Sequence, residues 1–338
     1  MRRVMFVALT ATLLTPALAF AVARPPEPRM HPSKTSATPS YVTRVLPSIV
    51  GLKVRAAEDA PSSARLGAQR FATGVIFDRR GYAVTVSYAV MDAVTIQAET
   101  REGGTKPAKL VAIDFESGLG IVKLDDEGPW PTATIGDSSD VKPGDVTGTV
   151  GVDEDNDLVY VSGNVKAVRR FAASWEYMLE RALFVMPSSP SWGGSAVVDD
   201  RGRVIGLASL RLGAEEPYTN LAIPIERLRA AKDELITAGR IVSRPARPWL
   251  GLYTVGGRDR VIVDGFAATG PARGAGFKRG DRIVRVNGVA VGSQEEFYEA
   301  LWRAHAGDLV EVAVERDNGI RVISVRSVDR YELVRPRR

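Results

Sequence analysis

Two histidines, His31 and His305, are all the imidazole that 338 residues contain. A serine hydroxyl acts as a nucleophile at neutral pH when an adjacent base takes its proton and a carboxylate holds that base in the right tautomer. His31 lies in a proline-rich stretch and His305 at the end of an amphipathic segment, so neither stands where it could serve a serine. The chain has no cysteine, which removes disulfides, thiolate metal sites, a cysteine nucleophile and a lipidated N-terminal cysteine together.

Other chemistry-bearing patterns are incomplete. Asp153-Glu154-Asp155-Asn156-Asp157 opens like a calcium loop, but its sixth position is Leu158 and its twelfth Asn164, where such loops carry glycine and glutamate. With isolated histidines zinc has no ligand set either, so neither a metal nor another cofactor is expected. The net charge of +5 is modest, and no dense basic stripe interleaved with aromatics points to nucleic acid.

The elements that must position any site follow from the patterning. Arg2 and Arg3 precede an apolar run from Val4 to Leu14 and small residues at Ala17-Leu18-Ala19 and Ala21-Val22-Ala23, the layout of a cleaved secretory signal over residues 1–23. This predicts export, to the periplasm or beyond. Residues 24–40 carry five prolines with Ser, Thr and Lys and read as a disordered tether. Short β-rich runs then succeed one another over 41–242, including 49–54, 71–77, 82–86, 94–98, 119–124, 158–168, 182–186 and 204–209. Close spacing of many short strands suggests barrels or sandwiches.

A helix follows, with Pro224 expected in its first turn, an apolar face at Ile225, Leu228, Ala231, Leu235 and Ile236, and Gly239 as its stop. Residues 243–248, with two prolines and two arginines, read as a linker. Residues 249–331 mix strands with one helix from Ser293 to Ala304 and read as a second, α+β domain; 332–338 form a basic tail.

In this order the residues resemble the HtrA (high-temperature requirement) family. The resemblance is carried by Gly74-Val75-Ile76-Phe77-Asp78 with Gly81-Tyr82, by Pro131 to Ser138, by Gly202-Arg203-Val204-Ile205-Gly206, and by Leu221-Ala222-Ile223-Pro224. It implies a mainly β fold, a chymotrypsin-like double β-barrel followed by an α+β PDZ domain. It also implies where a catalytic triad would sit. The family histidine position falls on Tyr88, and a phenol with an ordinary pKa near 10 is no ready base. The carboxylate position falls on Gly118, with Glu116 two residues off. The nucleophile, counted back from Gly202 to Gly206, falls on Gly193, with Ser191 and Ser195 flanking it.

The resemblance further matches Trp249-Leu250-Gly251-Leu252 to the PDZ carboxylate-binding loop, whose backbone N–H groups capture a chain terminus while the next strand adds the peptide to the sheet. Phe297, Ala300, Leu301 and Ala304 share one helix face, and Phe297 and Leu301 with Leu250 and Leu252 either line that peptide pocket or form core. Gly270 to Gly276, read alone as a phosphate loop, is followed by Phe277-Lys278-Arg279-Gly280-Asp281 and resembles a PDZ turn, so no nucleotide is implied. Arg169-Arg170-Phe171 through Trp175 and Tyr177 falls where the family carries a regulatory loop.

These readings lead to an expected pseudoprotease. It would bind protein C-termini or unfolded protein through its PDZ domain as adaptor, regulator or holdase, with an active family relative and a homotrimer among its implied partners. The alternative is an active serine endopeptidase of that family whose site is either displaced in register from these positions or unconventional, at Ser195.

Overall fold

A computed structural model describes residues 38–257, 259–317 and 319–333. The signal segment, the tether up to residue 37, His31 and the tail from residue 334 lie outside the described residues.

After a short helix α1 (Ser40–Val45), the strands β1 (Ile49–Ala56), β2 (Gln69–Asp78), β3 (Tyr82–Val86), β4 (Ala93–Glu99), β5 (Thr105–Asp114) and β6 (Leu119–Leu124) close a six-stranded antiparallel barrel. Its order is β1-β2-β3-β6-β5-β4. Short helices α2 (Ser63–Leu66) and α3 (Ser87–Val90) interrupt it. A second closed barrel, ordered β10-β11-β12-β9-β8-β7, is built from β7 (Val146–Val152), β8 (Leu158–Ala173), β9 (Tyr177–Met186), β10 (Ala196–Asp199), β11 (Val204–Leu212) and β12 (Thr219–Pro224). Closure leaves neither barrel an open edge.

The barrels share a core. Val84, Val86, Leu119 and Ile121 of the first pack in one apolar cluster with Leu179, Ala182, Leu207, Leu221 and Ile223 of the second. Helix α4 (Glu226–Ala238) adds Leu228, Ala231 and Leu235 to that cluster and ends at Gly239, whose φ of 73° closes it in the left-handed region. Pro224 belongs to β12 rather than to the helix, because its carbonyl segment still pairs with Gly206 across the sheet. The expected first turn therefore begins two residues later.

Residues from β13 (Pro248–Trp249) onward form the PDZ domain. Its sheet runs β14-β15-β16-β18-β19, from β14 (Leu252–Gly257), β15 (Arg260–Phe266), β16 (Arg282–Val286), β18 (Leu309–Arg316) and β19 (Gly319–Arg326), with β17 (Val289–Ala290) on β16. Helix α5 (Gln294–Leu301) packs on it; its N-cap Ser293 accepts a hydrogen bond from the Glu296 amide, which sets the start one residue inside the expected limit. Strand β20 (Val328–Asp329) returns to pair with β13, and α6 (Arg330–Leu333) takes in Glu332 and Leu333 from the expected tail. The architecture is the mainly β double barrel with an α+β domain that the sequence predicts.

Candidate functional site

At the barrel junction β3 delivers the chain into α3, which holds Tyr88 half-buried. Its hydroxyl donates to the Ser209 carbonyl at 2.7 Å and lies within hydrogen-bonding reach of the Trp192 side chain. Burial pushes this phenol above its ordinary range. The loop from Ser191 to Ser195 faces it. A Cβ built on Gly193 would meet only the Tyr88 hydroxyl, at 3.3 Å, and the Gly193 carbonyl accepts from the Thr73 amide at 2.8 Å.

Gly118 closes the same junction from the other side. Its carbonyl accepts from the Ser87 amide at 2.7 Å, immediately before Tyr88. Its φ is 81°, and a Cβ there would lie 2.9 Å from the Tyr177 hydroxyl, which donates to the Ser117 carbonyl. The structure thus brings Tyr88, Gly118 and Gly193 to one place, with Tyr177 filling the space beside Gly118.

The nearby acids are engaged elsewhere. Asp114 accepts from Arg244 at 3.0 Å and from the Tyr331 hydroxyl at 3.1 Å, and Glu116 pairs with Arg244 at 3.2 Å and Arg247 at 3.0 Å. Both arginines come from the linker, so these carboxylates fasten it to the first barrel. Burial raises the Glu116 pKa despite Arg247 and Arg244. Ser195 is fully buried; its hydroxyl donates to the Ser191 carbonyl and lies 3.4 Å from the Thr73 hydroxyl. Trp192 packs against the second barrel's own core around Leu183 and Ile205, under the Arg211 guanidinium.

In the PDZ domain, Leu250, Leu252, Phe297 and Leu301 are fully buried in one cluster, Trp249 lies under the Arg330 guanidinium, and Gly251 holds a φ of 77°. The amides of Leu250 and Leu252 point the same way and donate to a carboxylate, at 3.0 and 2.7 Å. That carboxylate belongs to Glu176 at the β8–β9 turn, a residue that sequence reasoning passed over. The turn touches both domains: Ala173, Trp175 and Tyr177 pack on the barrel core, while the Ser174 carbonyl accepts from the Thr254 amide at 2.9 Å and Met178 is buried within the PDZ cluster. Among the described residues no group of three or more acidic or histidine side chains could hold a metal.

The fold and this pair of sites define the class: a trypsin-like peptidase fold with a C-terminal PDZ domain. The trypsin-like peptidase domain family matches residues 72–207 and the PDZ domain family residues 248–326. In that arrangement the chain is similar to proteases of the HtrA and DegP type. It is 27% identical over 274 residues to a "probable periplasmic serine endoprotease DegP-like" of Halomonas elongata, covering 75% of this chain and 55% of that protein. It is 25% identical over 300 residues to "serine endoprotease DegS" of Escherichia coli, covering 82% and 81%. The chain therefore spans little more than half the length of the Halomonas relative. Among solved structures, "HtrA-type protease AlgW with decapeptide" superposes with a TM-score of 0.54 at 20% identity, over 88% of this chain and 98% of that one. The serine endoprotease from Yersinia pestis does so at 0.53 and 22%, over 87% and 99%.

These relatives correct one expectation. The residues at positions 88, 118 and 193 led the sequence reading to lean away from an enzyme, yet the relatives that span most of this chain are named serine endoproteases.

Proposed function

We propose that this chain is an exported HtrA-type protein that recognises the C-termini of polypeptides through its PDZ domain. The observation that carries the reading is the convergence of the Leu250 and Leu252 amides on one carboxylate. Two backbone donors held on a fixed loop select for a terminal carboxylate, and β14 beside them offers main-chain partners to an extended chain. Export, with the periplasm as destination, is supported by the pattern of residues 1–23 and by the printed name of the Halomonas relative. The test is binding of peptides with free and with amidated C-termini; equal affinity for the two overturns it.

A second activity, endopeptidase cleavage, is favoured by the names of the relatives. Ser195 is the serine to test. Its hydroxyl is turned into the barrel, so cleavage through it requires the Ser191 to Ser195 turn to open and a proton acceptor other than Tyr88, Gly118 or Gly193. Labelling by a fluorophosphonate together with digestion of an unfolded protein, both lost in Ser195→Ala, supports this route. Digestion that survives the substitution assigns the nucleophile elsewhere.

A further inference from the structure

We propose that the β8–β9 turn, residues 173–178, is the resident ligand of the PDZ groove, and that an incoming C-terminus competes with it. This rests on the reading of Trp249 to Leu252 as a carboxylate-binding loop.

The turn reproduces the parts of a bound chain end one by one. Glu176 supplies the carboxylate, taken by the Leu250 and Leu252 amides. Two residues earlier, the Ser174 carbonyl accepts from the Thr254 amide of β14 at 2.9 Å, the main-chain contact by which an added strand joins a sheet edge. On the opposite wall the Tyr298 hydroxyl of α5 donates to the Ala173 carbonyl at 2.5 Å, and the Glu176 amide donates to the same hydroxyl at 3.2 Å. Met178 supplies the apolar side chain and is buried among the PDZ core residues. Outside the groove Arg170 of β8 pairs with Glu299 of α5 and steadies the approach.

Ordinary packing between two domains would bury apolar area without these donors and acceptors falling in register. The backbone argues the same way. Glu176 holds a φ of 55°, a conformation unfavourable for a side chain bearing a Cβ, and it persists here where the turn aims the carboxylate into the loop. The full burial of Leu250, Leu252, Phe297 and Leu301 is therefore burial with the turn seated.

A ligand on the same chain acts at an effective concentration in the millimolar range. Even a weak internal contact then lowers the apparent affinity of an external peptide, which binds only the fraction with an empty groove. Removing the internal carboxylate is expected to tighten peptide binding by about 10-fold.

The experiment uses the full mature chain, its Glu176→Ala variant, and Glu176→Gln as an isosteric control whose fold is checked by near-ultraviolet circular dichroism. The probes are fluorescein-labelled decapeptide pools with an apolar last residue and a free C-terminus. Anisotropy reads affinity, and the amide resonances of Leu250 and Leu252 read the loop without any peptide. The expected result is weak binding by the wild type, about 10-fold tighter binding by Glu176→Ala, an intermediate value for Glu176→Gln, and shifted Leu250 and Leu252 amides in both variants. Equal affinity in all three proteins overturns the competition and leaves C-terminal recognition standing. Unshifted amides overturn the internal contact itself. Binding by none of the three overturns the competition together with C-terminal recognition, even where the amide shifts show that Glu176 had been seated.

Discussion

A Cβ placed on Gly193 would stand 3.3 Å from the Tyr88 hydroxyl, with no other heavy atom within 4 Å. The two residues face each other across the barrel junction, and a side chain at 193 requires only that the Tyr88 hydroxyl give by a few tenths of an ångström. Gly193 does not hold a positive φ, so its backbone accepts an L side chain. Gly193→Ser is accordingly expected to change unfolding stability by less than about 1 kcal/mol. Gly118 behaves differently. Its φ of 81° costs a side chain about 1–2 kcal/mol, and the new Cβ must displace the Tyr177 hydroxyl from 2.9 Å. Gly118→Ala is expected to destabilise by about 2 kcal/mol or more. Urea unfolding of both variants checks the contrast; equal losses would contradict it.

The Glu176 carboxyl predicts a pH dependence of stability. Burial pushes its pKa from an ordinary 4.5 up to about 7, against the backbone donors of Leu250 and Leu252 and the charge of Arg330. The other titratable groups that share its surroundings are Tyr177, Tyr298, Glu116, Arg247, Asp329 and Tyr331. Between pH 4.5 and 7 the folded protein keeps a proton that the unfolded chain releases. This group's contribution is therefore fully present below about pH 4.5, is lost as pH rises through 7, and is constant above. The span is on the order of 3 kcal/mol at most. Glu176→Gln should remove that slope, and thermal unfolding at a series of pH values measures it.

The same linkage has a sign for peptide binding. A peptide that lifts the turn off the groove returns Glu176 to water and to its ordinary pKa, so docking releases a proton across the same window. Affinity should then rise from pH 4.5 to 7 and level off, and calorimetry in buffers of different ionisation enthalpy should detect the released proton. An affinity that falls as pH rises over this range would contradict displacement of Glu176.

Much of this was legible beforehand because it is written locally. Alternating apolar residues separated by turns mark the strands, Ser293 marks a helix start, and the family resemblance maps positions 88, 118 and 193 onto one junction. What was not legible is written across distance. Glu176 is one acidic residue in a turn, and only the length of β8 and β9 carries it to the Leu250 amide, 74 residues on. The linker arginines were read only as part of a linker, and their pairing with Asp114 and Glu116 is again written across distance. Pro224 looked like a helix opener because its pairing with Gly206 is likewise a matter of tertiary register.

The linker anchor supplies the last prediction. Asp114 is 2% exposed and is held by Arg244, by the Tyr331 hydroxyl and by the amides of Glu116 and Ser117. The Tyr331 hydroxyl also accepts from the Phe115 amide at 3.2 Å, so Tyr331→Phe removes a donor from a buried carboxylate and an acceptor from a backbone N–H at once. The ring keeps its contact with Phe115, 5.0 Å between centroids, so apolar packing is unchanged. The expected loss is about 1–3 kcal/mol, the cost of leaving such groups without a partner. Arg244→Ala strands the same carboxylate from the other side, and because both side chains meet on Asp114 the double variant should lose less than the two single losses added together. Full additivity in a double-mutant cycle would show that Arg244 and Tyr331 hold the linker and the chain end independently.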